Sequence, residues 1–150
     1  MKGDILAGGA DESAVREAND LFYRALSVKD LAIMESVWAR EPGARCIHPG
    51  WDLLEGWEMV RESWSLIFRN PVRLLVTPSE IVIRQSGDMA WVSCLETIKA
   101  GNAVTLARAT NLFVRARDGW KMILHHASQV SPGAATAGPD EEAPPGSTVH

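Results

Sequence analysis

Apolar positions change their spacing near the middle of the chain. Up to about residue 70 they recur every three or four residues, and beyond it they alternate. Val15, Ala18, Phe22, Ala25 and Leu26 keep to one face of a helix that Asp11 can cap and that runs to about Ser27, opposite Arg16, Glu17 and Arg24. Asp30 is the next N-cap candidate, and Leu31, Met34, Val37 and Trp38 form the stripe of a second helix. Pro42 and Gly43 close the connection that follows, residues 44–48 are extended, and Pro49-Gly50 turns the chain. Trp57, Val60, Trp64, Ile67 and Phe68 make the buried stripe of a third helix, stopped before Pro71. Residues 72–76 and 80–84 read as strand pieces around Pro78. Strands over 90–99, 104–115 and 120–130 follow, joined by the turn signals Gly101-Asn102 and Arg117-Asp118-Gly119.

Helices first and a meander afterwards predict an α+β domain, not the alternation of a doubly wound sheet. The economical packing places the three N-terminal helices in the concave face of a curled antiparallel β-sheet, a cone-shaped α+β barrel. One end of the cone is closed by apolar side chains and the other opens as a pocket. The opposite sheet face carries Trp91, Ser93, Leu95 and Thr97, too apolar to sit comfortably in water. A homodimer through that face is the expectation.

Length and composition narrow the function classes. A chain of 150 residues hides roughly 68% of the surface its unfolded form exposes, enough for one core. With 15 basic and 19 acidic side chains the net charge is −4, and Lys and Arg are scattered, so nucleic acid is not an expected partner. No apolar run approaches the roughly 20 residues that span a bilayer, so no membrane partner is expected either. The first ten residues lack the charged and apolar regions of a secretion signal. Cys46 and Cys94 are too few for a disulfide scaffold, and a cytoplasmic location follows as the expectation. Residues 131–150 hold four of the eight prolines, three glycines and Asp140, Glu141 and Glu142, with nothing to bury. The expected organisation is a flexible segment over 1–10, a domain over 11–130 and a disordered tail over 131–150. The tail holds most of the net charge, and the body is nearly neutral.

Four stretches carry a family likeness: IHPGWDLLEGWEMVRESW (47–64), AWVSCLET (90–97), ATNLFVRARDGW (109–120) and the closing HHAS (125–128). In this order and spacing they resemble the nuclear transport factor 2-like superfamily, its SnoaL-like branch above all, and the association domain of calcium/calmodulin-dependent protein kinase. The resemblance implies the cone fold. It leaves function open, because the superfamily holds isomerases, cyclases, epoxide hydrolases and dehydratases beside carriers and oligomerisation hubs.

The candidate chemistry lies on the strands and around the cone. Glu96 shares a strand face with Ala90, Val92, Cys94 and Ile98, so its carboxyl must find a partner, with Arg108 or His126 in reach, or keep its proton as a base of raised pKa. On strict alternation His126 shares a face with Trp120, Met122, Leu124 and Ser128, while His125 points to the other side. His126 is then either a buried hydrogen-bonded histidine or a general acid/base, the second reading drawn from its place in the family's closing motif. Asn111 is either a strand amide tied to its neighbours or a group that steadies an oxyanion. The resemblance places Glu96 and Asn111 where the kinase association domain carries pocket arginines, a departure that removes the carboxylate-binding pair. Cys46 and His48 share one side of a short strand; core packing accounts for the thiol better than nucleophilic catalysis does. His48 itself is a strand-end hydrogen bonder or a ligand contact, and Asp52 a turn residue or an entrance carboxylate. The resemblance sets Trp51 and Trp57 at the mouth of the cone, and Trp38 and Trp64 lie on helix stripes. Together these indoles suit a small apolar or aromatic ligand. Neither a phosphate loop nor spaced metal ligands are visible, and no cofactor is expected.

Two functions fit this pattern. One is a cofactor-free isomerase, cyclase or dehydratase acting on an apolar carbonyl compound with Glu96, His126 and Asn111. The other is a non-catalytic ligand-binding or homo-oligomerisation module.

Overall fold

A computed structural model describes residues 10–131. The segments expected to be flexible lie outside the described residues, apart from residues 10 and 131. Helix α1 (Ala10–Val28) runs one residue further than its pattern implied and ends at Lys29, which has a left-handed φ of 55°. Asp30 then caps α2 (Leu31–Val37), its carboxylate accepting from the Ile33 amide at 3.1 Å. Strands β1 (Arg45–Ile47) and β2 (Leu54–Glu55) bracket the Pro49-Gly50 turn. Helix α3 (Trp57–Arg69) starts after Gly56, whose φ of 91° suits glycine, and stops before Pro71. The meander follows as β3 (Leu74–Ser86), β4 (Met89–Ala100), β5 (Ala103–Ala116) and β6 (Gly119–Gln129).

The six strands form one curled, unclosed sheet in the order β2-β1-β6-β5-β4-β3. The meander is antiparallel as expected, but β1 joins β6 in parallel, so the sheet is mixed. Three helices pack on it, as the α+β reading required. Helix α1 lies against both β3 and β6, and α3 against β1 and β2. Phe22, Met34, Phe113 and Met122 are fully buried between the layers, each contributing roughly 1.5–3 kcal/mol. Trp38 and Trp64 are buried beside them. No helix among the described residues is long and apolar enough to cross a membrane.

Two bulges depart from the alternation. The two strand pieces expected around Pro78 are one strand, with the register shifting between Ser79 and Val82 where Glu80 adopts a φ of 51°. Proline is tolerated there because β3 is an edge strand. The second bulge lies in β6. Leu112 pairs with Leu124 but Phe113 pairs with Met122, so Ile123 is the extra residue. An inserted residue moves every later side chain to the other face. Trp120 and Met122 point to the core on one side of the bulge, and His125 and Ala127 do so beyond it. His126 is exposed, and the face expected for the two histidines is reversed.

Candidate functional site

Glu96 leaves the inner face of β4, 3% exposed, between Cys94 and Ile98. Its partner is neither Arg108 nor His126. Arg108 lies on the outer face, paired with Glu80 at 3.3 Å. Tyr23 of α1 instead donates its hydroxyl to Glu96 Oε2 at 2.7 Å. Burial pushes the Glu96 carboxyl up to about 7, and the Tyr23 hydrogen bond acts in the opposite direction. No hydrogen bond from a described residue reaches Oε1.

From Tyr23 a buried chain of hydrogen bonds crosses the sheet. Asn111 Nδ2 donates to Tyr23 Oη at 3.1 Å and to Asn19 Oδ1 at 2.9 Å. Both amide hydrogens are thus engaged, and none is left for a bound oxyanion as the sequence had suggested. Asn111 Oδ1 lies 2.6 Å from His125 Nδ1. A carbonyl oxygen only accepts, so the proton sits on Nδ1. Burial holds the His125 pKa well below its ordinary value, the ring is neutral, and Nε2 carries a lone pair. Cys94 completes the group with its thiol 3.2 Å from Tyr23 Oη. Its pKa is pushed up to about 11 by burial, and burial also raises that of Cys46, so neither thiol is activated.

His48 lies near His125, with ring centroids 6.3 Å apart. Ser63 Oγ donates to the Val60 carbonyl at 2.6 Å, and therefore accepts from His48 Nε2 at 2.9 Å. Nδ1 is left as the acceptor, 3.8 Å from the Cys46 thiol. Burial lowers the His48 pKa to about 4. The ring meets Trp51 and Trp64 edge-on, with centroids 4.8 Å and 4.5 Å away.

These groups border one cavity of about 290 Å³, which Glu96, His48, His125, Trp51, Trp64 and Ile98 help to line. Of the four tryptophans assigned to ligand contact, Trp51 and Trp64 reach it. Trp38 and Trp57 do not; they pack on each other, with centroids 6.0 Å apart. Asp52 is exposed, binds the Leu53 amide as a turn residue and lies off the cavity lining. Sequence reasoning missed Tyr23, Asn19, Ser63 and His125. Asn19 and Tyr23 stand four residues apart on the apolar stripe of α1, a readable signal that two polar groups face the sheet. The bulge that turns His125 inward has no such signal. No cluster of His, Cys, Asp and Glu among the described residues is arranged to hold a metal.

Comparison with known proteins gives the arrangement its relatives. The model of the SnoaL-like domain matches residues 15–132. The chain belongs to the SnoaL-like family. Among solved structures, this SnoaL-like chain is similar to a nuclear transport factor 2-like protein of Streptomyces avermitilis that carries a provisional dehydratase assignment. The two are 32% identical with a TM-score of 0.75, covering 81% of this chain and 97% of the other. A protein of Thiobacillus denitrificans, provisionally described as a calcium/calmodulin-dependent protein kinase type II association domain, is 33% identical with a TM-score of 0.67. That match covers 77% of this chain and 94% of the other. The F-box protein SKIP8 of Arabidopsis thaliana is 27% identical over 119 residues, or 79% of this chain and 51% of its own. The chain thus spans about half the length of that curated relative.

Proposed function

We propose that this SnoaL-like domain binds a small, mostly apolar molecule in the cavity and moves a proton on it with Glu96, as an isomerase or dehydratase does. The observation that carries the reading is a carboxyl at the cavity wall with a pKa of about 7 and one oxygen unclaimed by the described residues. At neutral pH both of its forms are populated, so it can take a proton in one step and return it in the next. The provisional dehydratase assignment of the Streptomyces avermitilis relative supports the same class. His126 drops out of the active constellation because it is exposed on the other face, whereas His125 lines the same cavity as Glu96 and is linked to it through Asn111 and Tyr23. Asn111 and Tyr23 are positioning residues. The test is the loss of water from 4-hydroxy-4-phenyl-2-butanone, read as the absorbance of the conjugated ketone. Turnover by the wild-type chain that Glu96→Gln abolishes supports the reading. Equal turnover by both, or none by either, sinks it.

A second reading concerns assembly. The outer sheet face exposes Val82 (43%) and Leu106 (39%), with Trp91 and Leu95 half-buried between them. Covering this face with a second copy gives a homodimer without touching the cavity lining. Sedimentation equilibrium of the wild-type chain and of Leu95→Glu tests it: a dimer that the substitution splits is expected, and a wild-type monomer refutes it.

A further inference from the structure

We propose that the cavity selects apolar ligands whose polar head donates a hydrogen bond, a hydroxyl or a protonated amine, and rejects ligands whose head only accepts or is anionic. The inference rests on the ligand-binding reading above and deepens it. It follows from where the protons of the buried polar groups are spent. Among the deep groups that line the cavity, His125 has given its only N–H to Asn111 Oδ1, and His48 has given its own to Ser63 Oγ. Both rings are neutral, so each retains one lone pair: Nε2 on His125, and Nδ1 on His48, which the weakly donating Cys46 thiol meets at 3.8 Å. Glu96 has Tyr23 on Oε2 and is a pure acceptor once ionised. Asn111 and Tyr23, the partners of His125 and Glu96 behind the cavity wall, have committed their N–H and O–H groups inside the network. The indole N–H of Trp64 is itself buried from the cavity surface.

Charge points the same way. No Lys or Arg among the described residues lines the cavity, so an anionic head would enter beside Glu96 with no counter-charge. Trp51, Thr105 and Gln129 also border the cavity with donors of their own, but all three are exposed, so those donors remain in contact with water. The apolar part of the ligand has the faces of Trp51 and Trp64 and the side chains of Ile67, Val76 and Ile98 to rest on. With Glu96 ionised, an acceptor-only head would lose its hydration and find no buried donor, whereas an O–H or N–H head meets acceptors already oriented by the sheet and α1.

Four probes of eight carbons each, small enough for about 290 Å³, separate the cases by calorimetric titration of the whole chain at about pH 8, where Glu96 is ionised. They are 2-phenylethanol, 2-phenylethylamine, acetophenone and phenylacetate. We expect the alcohol, the amine or both to bind on the order of tenfold or more tightly than acetophenone and phenylacetate. Comparison of the first two tells a neutral donor from a cationic one. In Glu96→Gln the amide keeps its oxygen for Tyr23 and turns its NH2 to the cavity, so acetophenone should gain affinity while the amine loses it. Acetophenone or phenylacetate binding the wild type as well as the donors do overturns the inference and leaves the cavity reading standing. Binding of none of the four overturns both.

Discussion

Replacing Glu96 by glutamine should make the protein more stable, and more so as pH rises. The carboxyl has a pKa of about 7 in the folded chain against an ordinary value of 4.5. Below 4.5 it is protonated folded and unfolded alike and costs nothing. Between 4.5 and 7 the unfolded chain sheds the proton while the folded chain keeps it, and stability falls by about 1.4 kcal/mol per pH unit. Above 7 both forms are ionised and the loss is complete, about 3 kcal/mol. The glutamine side chain cannot ionise, keeps nearly the same shape and still offers an oxygen to Tyr23. The difference in unfolding free energy between Glu96→Gln and wild type, from urea denaturation at intervals between about pH 5 and 8.5, isolates this one group because the others cancel. We expect the variant's advantage to grow through that range and to level off above pH 7. A difference that stays flat with pH would show that Glu96 is not desolvated as described, and the reasoning on the site would fall with it.

Three other outcomes follow from the same network. Tyr23→Phe removes a hydrogen bond that lowers the Glu96 pKa, so the midpoint should move further up in a carboxyl NMR titration; a downward move contradicts the assigned donor. His125→Ala leaves the Asn111 carbonyl unpaired and a void beside it, and should cost about 2–4 kcal/mol of unfolding free energy, against under about 1 kcal/mol for His126→Ala. The reverse ranking would restore uninterrupted alternation along β6. His48 has its pKa lowered from 6.5 to about 4, so the stability it carries is present above 6.5 and lost as pH falls toward 4. His48→Gln should therefore remove about 3 kcal/mol of acid destabilisation from the denaturation profile, and an unchanged acid limb contradicts its burial as a neutral ring.

The fold was legible because its signals are local and repeated. The stripe on α1, the Asp30 cap, the Pro71 stop and the turns at Gly101 and Gly119 all agree with helices packed on a meander, and the parallel seating of β1 on β6 is what they did not signal. Glu96 was legible for a similar reason: one carboxylate on an apolar strand face is conspicuous at any register. The rest of the site depends on facts a sequence does not display. A single bulged residue, Ile123, decides which of two adjacent histidines enters the core, and the apolar run Met122-Ile123-Leu124 gives no hint of which residue is extra. The partnership of Tyr23 with Glu96 spans 73 residues and depends on how α1 lies across the sheet. Trp38 and Trp57 look as eligible for the cavity as Trp51 and Trp64, and helix packing alone separates them.

The central claim is that Glu96 is a buried carboxyl facing a cavity that small apolar molecules can enter. Its most direct test is a site-specific carbon NMR titration of the Glu96 carboxyl, without ligand and then with 2-phenylethanol or 2-phenylethylamine at saturation. We expect a midpoint of about 7 in the free chain, displaced when a ligand fills the cavity. A midpoint in the ordinary carboxylate range, indifferent to either compound, would contradict it.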